Sequence, residues 1–213
     1  MKVYYIGGSP CSGKSTLAEM IATKYGFYYY KLDDKIEEHM KKAAEALKPR
    51  CKAYSGMTPE QVWMRTPEIQ FKDEIGIYQE IFDYALFDLE KLNSSTPVIT
   101  EGAGFMPELM KKVGIRINEY ICIVPTCDFQ IEKYSKRERV PYVLEGCSDK
   151  EKAFDNWMKR DIMFAKYAAE NAEKYGYEVM WTDGRNSPSV MLGMAEKSLA
   201  FDYVDHNREV TKS

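Results

Sequence analysis

The segment Gly8–Thr16 contains Gly8-Ser9-Pro10-Cys11-Ser12-Gly13-Lys14-Ser15, which fits G-x-x-x-x-G-K-[ST]. These residue types at this spacing suit one kind of chemistry. Successive backbone N–H groups can curl around a polyphosphate, and glycines let the main chain approach without a Cβ in the way. A helix that begins at the end of the loop adds the partial positive charge of its N-terminus. Lys14 supplies a mobile cation for the outer phosphates, and Ser15 a hydroxyl for Mg²⁺.

The flanks are those the motif requires. Val3-Tyr4-Tyr5-Ile6 is a short apolar, β-prone run, and Ser15–Tyr25 places Leu17, Met20, Ile21 and Lys24 at helical spacing. A chance glycine turn ahead of a helix is the competing reading, and having both flanks correct counts against it. The chain is therefore expected to bind a nucleoside triphosphate.

Two further strand ends carry acids. Tyr29-Tyr30-Lys31-Leu32 finishes in Asp33-Asp34, and Pro97-Val98-Ile99-Thr100 in Glu101-Gly102-Ala103-Gly104. A carboxylate near a nucleophile, or in the shell of a metal ion, is what phosphoryl transfer needs beyond positioning. Asp34 has a second reading as the N-cap of a following helix, with Glu37 at N3. Gly102 reads either as part of a turn or as a lining residue of an acceptor pocket. Lys133, Lys136, Arg137 and Arg139 form a basic group on the helix expected after the fourth strand, Lys133 and Arg137 four apart on one face.

The elements that must hold these residues alternate between strand and helix, which predicts a parallel sheet covered on both faces. Expected strands are 3–6, 27–32, 97–100, 120–124 and 177–181. Thr58-Pro59-Glu60-Gln61 and Ser148-Asp149-Lys150-Glu151 read as capping boxes, and Thr66-Pro67 and Ser187-Pro188 as cap-then-proline starts. Two helices should be long, from Pro67 to about Leu92 and from Asp149 to about Tyr175. The first repeats Ile77, Ile81, Tyr84, Ala85, Asp88 and Leu89 at helical spacing, a face for the core or, less readily, for a dimer. The stretch 33–96 far exceeds the single helix that an ordinary crossover needs. Extra chain at the carboxyl ends of strands is where a second substrate would sit, and Arg50 and Arg65, with Tyr54 and Trp63, are candidates to hold an anionic or aromatic acceptor. The polar tail from His206 to Ser213 should fray.

Composition bounds the function. At 213 residues, 45% hydrophobic and 30% charged, the chain suits one soluble globular domain. A net charge of -3 and a pI near 5.6 count against a nucleic-acid partner. No apolar run approaches a membrane span and no signal peptide is visible, so a cytoplasmic location is expected. Five scattered cysteines without a C-x-x-C pair, and two histidines, point to reduced thiols rather than zinc. A guanine-reading N-K-x-D is missing, and Asp73-Glu74-Ile75-Gly76 spells D-x-x-G inside a probable helix, which argues against a regulatory GTPase.

The order of these features resembles the P-loop small-molecule kinases, which include nucleoside monophosphate kinases, shikimate kinase and antibiotic phosphotransferases. The resemblance is specific at Gly8–Thr16 and rests on spacing and residue type elsewhere. It implies an α/β fold with a five-stranded parallel sheet in the order 2-3-1-4-5, an ATP donor, Mg²⁺ and a small-molecule phosphoryl acceptor. It also implies an acceptor-binding insertion at 33–96 and a lid at about 130–160, in a monomer or homodimer. In the relatives an aspartate at the position of Asp33 holds Mg²⁺ through water or takes the acceptor's proton. Glu101 stands where many of them have a Walker-B-like aspartate, toward the metal or the acceptor. Asp34 is then a cap or a substrate contact. Lid arginines close over the phosphates in the relatives, Arg137 being the best candidate here, with Arg160 either another or half of an intrahelical ion pair. The loop Thr182–Asn186 would pack on adenine. The resulting expectation is an ATP-dependent kinase in which Lys14, Asp33 and Arg137 are catalytic. Nucleotides or nucleosides, as in cytidylate kinase, are among the acceptors left open. A P-loop ATPase or nucleotide-binding regulatory protein without an acceptor is the alternative.

Overall fold

A computed structural model describes residues 1–201. In chain order the elements are β1 (Val3–Gly8), α1 (Lys14–Tyr25), β2 (Tyr28–Lys31), a 3-10 turn (Leu32–Lys35), α2 (Ile36–Glu45), α3 (Pro49–Tyr54), α4 (Pro59–Trp63) and α5 (Pro67–Lys91). There follow β3 (Val98–Glu101), α6 (Pro107–Lys112), β4 (Tyr120–Pro125), α7 (Cys127–Ser135), α8 (Val140–Val143), α9 (Lys150–Lys174), β5 (Glu178–Thr182) and α10 (Pro188–Ser198). The five strands form one parallel sheet in the order β2-β3-β1-β4-β5, as expected. The tail 206–213 lies outside the described residues.

Strand alternation divides the sheet into two faces. Tyr4, Ile6, Ile99, Ile121 and Ile123 pack with Leu17 and Ile21 of α1 and Met191 of α10. Tyr5, Val98, Tyr120, Cys122 and Val124 face the other way, onto α5, α6 and α9. The central strands β1, β3 and β4 are buried on both faces, so they read as nearly continuous apolar runs. A third cluster lies off the sheet and joins α4 to α7, α8 and α9. In it Trp63 stacks on Trp157 at 4.5 Å between ring centroids, with Tyr134, Val140 and Leu144 around them.

Register sets the site. Ile6 lies opposite Glu101, and Lys31 lies opposite Glu101 on its other side, so the ends of β1, β2 and β3 are level. The chain changes sides of β1 between β3 and β4, and the loops diverging there open a crevice. Gly8 closes β1 with φ +112°, and a Cβ there would fall 2.0 Å from the Ile123 carbonyl oxygen of β4. Only glycine lets the phosphate loop leave the sheet this close to its neighbour.

Several expected helix ends shift. Thr58 forms its capping box with Gln61, and Ser187 caps α10, but Thr66 begins α5 without a side-chain bond. Ser148 is not the cap of α9. Its N–H and hydroxyl both donate to the Glu60 carboxylate, and Asp149 accepts from Lys152 N instead. Asp34 lies within the 3-10 turn, and α2 starts from Lys35 without a side-chain cap, so Asp34 does not cap it. Helix α7 ends at Ser135, which puts Arg137 and Arg139 beyond it rather than on it. Lys133 and Arg137 therefore do not share a helix face.

Helix α2 is tied to α5 beneath the sheet edge. Asp88 Oδ2 accepts from the Tyr30 hydroxyl at 2.8 Å and pairs with Nε2 of the fully buried His39 at 2.8 Å. Asp88→Ala strips both groups of their partner and should cost about 2–3 kcal/mol, read as a lower urea midpoint at unchanged slope. A loss below about 0.5 kcal/mol would show that this cluster does not hold α2 in place.

Candidate active site

The phosphate loop is held from behind. Gln130 of α7 donates from Nε2 to Ser9 Oγ at 2.9 Å and to the Pro10 carbonyl at 3.2 Å. Ser9 Oγ donates in turn to the Asp161 carbonyl of α9 at 3.4 Å. Lys14 is buried, with Nζ on the Ser9 carbonyl at 2.7 Å. Gly13 precedes α1 at φ 85°, and no side chain caps that helix, so its first amides stay directed at the loop's concavity. Cys11 adopts a left-handed φ of 63°, part of the same curl.

Glu101 sits at the centre, fully buried. Its Oε1 accepts from Ser15 Oγ at 3.0 Å and from the Tyr29 hydroxyl at 2.9 Å. Its Oε2 is buried without a hydrogen-bond partner, as is Ser12 Oγ. Burial raises the Glu101 carboxyl above the usual range; Lys14 opposes that rise and Asp33 adds to it. A buried carboxylate with a spare oxygen, beside a serine hydroxyl and a second carboxylate, fits a divalent cation. Among the described residues no three His, Cys, Asp or Glu cluster as a ready-made metal cage. A cation here would complete its shell with phosphate and water, the habit of Mg²⁺.

Two hollows meet at the loop. One, of about 510 Å³, has Leu17, Ile123, Phe129, Gly184 and Met191 in its walls. A Cβ on Gly184 would lie 2.6 Å from the Phe129 ring, so the loop after β5 closes directly over that ring. The other, of about 520 Å³, holds Lys14, Ser15, Asp33, Arg137, Arg139 and Arg160. A smaller pocket of about 110 Å³ adjoins the second hollow and shares Ile36, Glu74, Tyr78 and Arg160 with it.

The expected site residues are distributed as follows. Gly8 to Thr16 form the loop and the start of α1, and Asp33 is exposed on the 3-10 turn into the second hollow. Asp34 points away to Lys31, at 3.4 Å. Arg137 lines both large hollows, its guanidinium 4.9 Å above the Tyr134 ring. Gly102 contacts the core, since a Cβ there would meet Leu32 Cβ at 2.8 Å. Arg50 and Arg65 both bind Asp73, and only Arg65 reaches the smaller pocket. Arg160 pairs with Asp161 at 2.6 Å, lies 3.4 Å from Glu74, and lines both the second hollow and the smaller pocket.

The solved structures most similar to this arrangement include two kinases. A shikimate kinase from Bacteroides thetaiotaomicron superposes with a TM-score of 0.56 at 16% identity, covering 94% of this chain and 99% of that one. A deoxyadenosine kinase from M. mycoides with bound dATP gives 0.52 at 16% identity, covering 94% and 100%. The chain has the fold of the P-loop small-molecule kinases. No protein-family model matches the sequence, and a comparison with curated proteins finds no match.

Within this kinase fold, four polar residues of the site escaped the sequence reading: Tyr29, Gln70, Glu74 and Gln130. For two of them a signal was present. Gln70 and Glu74 continue the helical stripe of Ile77, Tyr78 and Ile81, and polar groups on an apolar face are buried with it. Burial raises the Glu74 carboxyl from its ordinary value near 4.5 to about 7, against the pull of Arg160. A raised folded value means that its contribution to stability is whole below about pH 4.5 and is lost as pH rises through about 7. Glu74→Gln should therefore gain thermal stability relative to the parent between those limits, with the difference growing as pH rises. Parallel melting curves for the two proteins would remove Glu74 as the source.

Proposed function

We propose that the protein is an ATP- and Mg²⁺-dependent phosphotransferase that delivers a γ-phosphoryl group to a small-molecule acceptor. One observation carries the reading: the phosphate loop lies between two hollows, and the hollow on the insertion side contains both Lys14 and a carboxylate, Asp33. A triphosphate-cleaving protein without an acceptor would use the loop side of the second hollow but has no need of the pocket beyond it.

The apolar hollow under Gly184 suits a nucleobase, read through backbone groups of the loop after β5. Bound ATP–Mg²⁺ supplies an activated phosphoryl group and neutralises charge as it transfers. Lys14 holds the outer phosphate oxygens. Ser15 and Glu101 hold the metal, Tyr29 keeping the Glu101 carboxylate turned toward Ser15. Asp33 orients the acceptor and takes its proton. Arg137 stabilises charge on the transferring group, and the segment about 130–160 excludes water so that ATP is not simply hydrolysed. The insertion 33–96 provides the acceptor side of one kinase domain, acting as a monomer or homodimer without nucleic acid. Among the described residues no helix is long and apolar enough to cross a membrane.

Lys14→Ala should lower acceptor-dependent ADP release by about 10³-fold or more. Undiminished turnover would sink the mechanism. Asp33→Asn should reduce kcat by roughly 10²-fold or more and leave ATP affinity within about threefold, measured by steady-state kinetics and nucleotide titration. The reverse pattern would make Asp33 a binding residue. ADP release that no acceptor accelerates would favour an ATPase or a regulatory nucleotide binder.

A further inference from the structure

The smaller pocket specifies the charge of what enters it. Two arginines line it, and each already faces a carboxylate. Arg65 binds Asp73, which Arg50 also binds from the other side. Arg160 pairs with Asp161 at 2.6 Å and lies 3.4 Å from Glu74 Oε2. Three guanidiniums thus meet three carboxyl groups, so each arginine already has a partner before a ligand arrives. Sites that take up carboxylates or phosphates use arginines whose forks are open to the ligand.

What the pocket leaves unpaired is acceptors. Gln70 is almost fully buried, and its Nε2 donates to the carbonyls of Trp63 at 3.0 Å and Arg65 at 2.9 Å. Two carbonyls on one nitrogen fix the orientation of the carboxamide, because a flipped oxygen would face both of them. Its Oε1 is therefore an acceptor, and it has no partner. Glu74 Oε2 is likewise buried without a hydrogen bond, while Oε1 accepts from the Tyr78 hydroxyl at 3.4 Å. Buried polar atoms left without partners have lost their water without replacement, and a ligand that donates to them recovers that cost. The remaining walls are the apolar side chains of Ile36, Met40, Val62 and Ile77 and the rings of Tyr54 and Tyr78. At about 110 Å³ the pocket has room for roughly eight water-sized groups, which is one ring with its substituents.

We propose that the acceptor is a neutral, ring-sized alcohol that donates hydrogen bonds to Gln70 Oε1 and Glu74 Oε2, and that the pocket rejects acceptors carrying a carboxylate or phosphate there. The inference rests on the phosphotransferase reading and gives its substrate class. Ile36, Glu74, Tyr78 and Arg160 are common to this pocket and the hollow that holds Asp33, so a ring seated here extends a hydroxyl toward that carboxylate. Burial already disfavours the charge of Glu74, and a second anion beside it would add like-charge repulsion to that desolvation.

The test uses matched acceptors with ATP and Mg²⁺: nucleosides against their 5′-monophosphates, and hexoses against the corresponding hexuronic acids. Acceptor-dependent ADP release is measured, and the phosphorylated product is identified by phosphorus NMR. The neutral member of each active pair should show kcat/KM at least about tenfold above its anionic partner. Preference for the anionic member overturns the inference and leaves the phosphotransferase reading standing. ATP cleavage with no acceptor of either charge phosphorylated overturns that reading and the inference with it. Asp73→Asn releases Arg50 and Arg65 from their shared carboxylate and should move the neutral-to-anionic ratio at least about tenfold toward the anion. An unmoved ratio shows that arginine pairing does not set the selectivity.

Discussion

The guanidinium of Arg160 is the charge around which the site is organised. Arginine does not shed its proton on burial, so a position this enclosed is tolerable only with carboxylates brought to it. Asp161 comes from the same helix, at the next residue, but Glu74 comes from α5, and the pair ties α5 to α9. Trp63 closes the cluster from the insertion, its ring 5.3 Å from the guanidinium. Removing any one of these partners would leave another charge or polar atom stranded in a poorly solvated setting. The insertion, the second hollow and the smaller pocket therefore form one electrostatic unit.

The phosphate loop depends on the same helix by another route. Ser9, whose hydroxyl reaches the Asp161 carbonyl, also receives Gln130, so α7 and α9 together brace the loop from the side opposite its ligand face. Lys14 rests on a carbonyl of that loop, which keeps a buried ammonium solvated by the main chain until a better acceptor arrives. Braced amides cost little reorganisation when charge develops against them, and that is where electrostatic catalysis draws most of its effect.

What the sequence revealed follows the range of the interactions. The strand–loop–helix motif is local, and the apolar runs of β1, β3 and β4 are dictated by burial on both faces, so sheet and loop were legible in the residues, and the strand order through the resemblance alone. Arg160 was legible only as two alternatives, and the structure gives it an ion pair within its own helix as well as a place in the site. Arg137 was expected on a helix face, but α7 ends two residues earlier, where neither glycine nor proline announces a stop. Ser148 looked like a cap because its neighbours fit the box; a carboxylate distant in sequence, Glu60, claimed it instead. Gln70 and Glu74 were passed over because polar residues in a helix are usually solvated, and only the packing of α5 against α9 buries them. Their place on the stripe of Ile77, Tyr78 and Ile81 signalled burial, but the groups they meet across the fold leave no trace in spacing. Alternation and register can preserve such a sheet at the 16% identity that separates this chain from the solved kinases.

The stacked indoles of Trp63 and Trp157 give the protein an optical handle on this junction. They lie stacked in a buried cluster, one from α4 and one from α9, and Trp63 also borders Arg160. The third tryptophan, Trp181, is 48% exposed on a sheet-edge strand remote from them. Two coupled chromophores in a fixed, chiral arrangement dominate the near-ultraviolet circular dichroism, and their spectrum changes when the angle between them does. Any change in how α4 packs on α9 can thus be followed in the unlabelled protein by light alone.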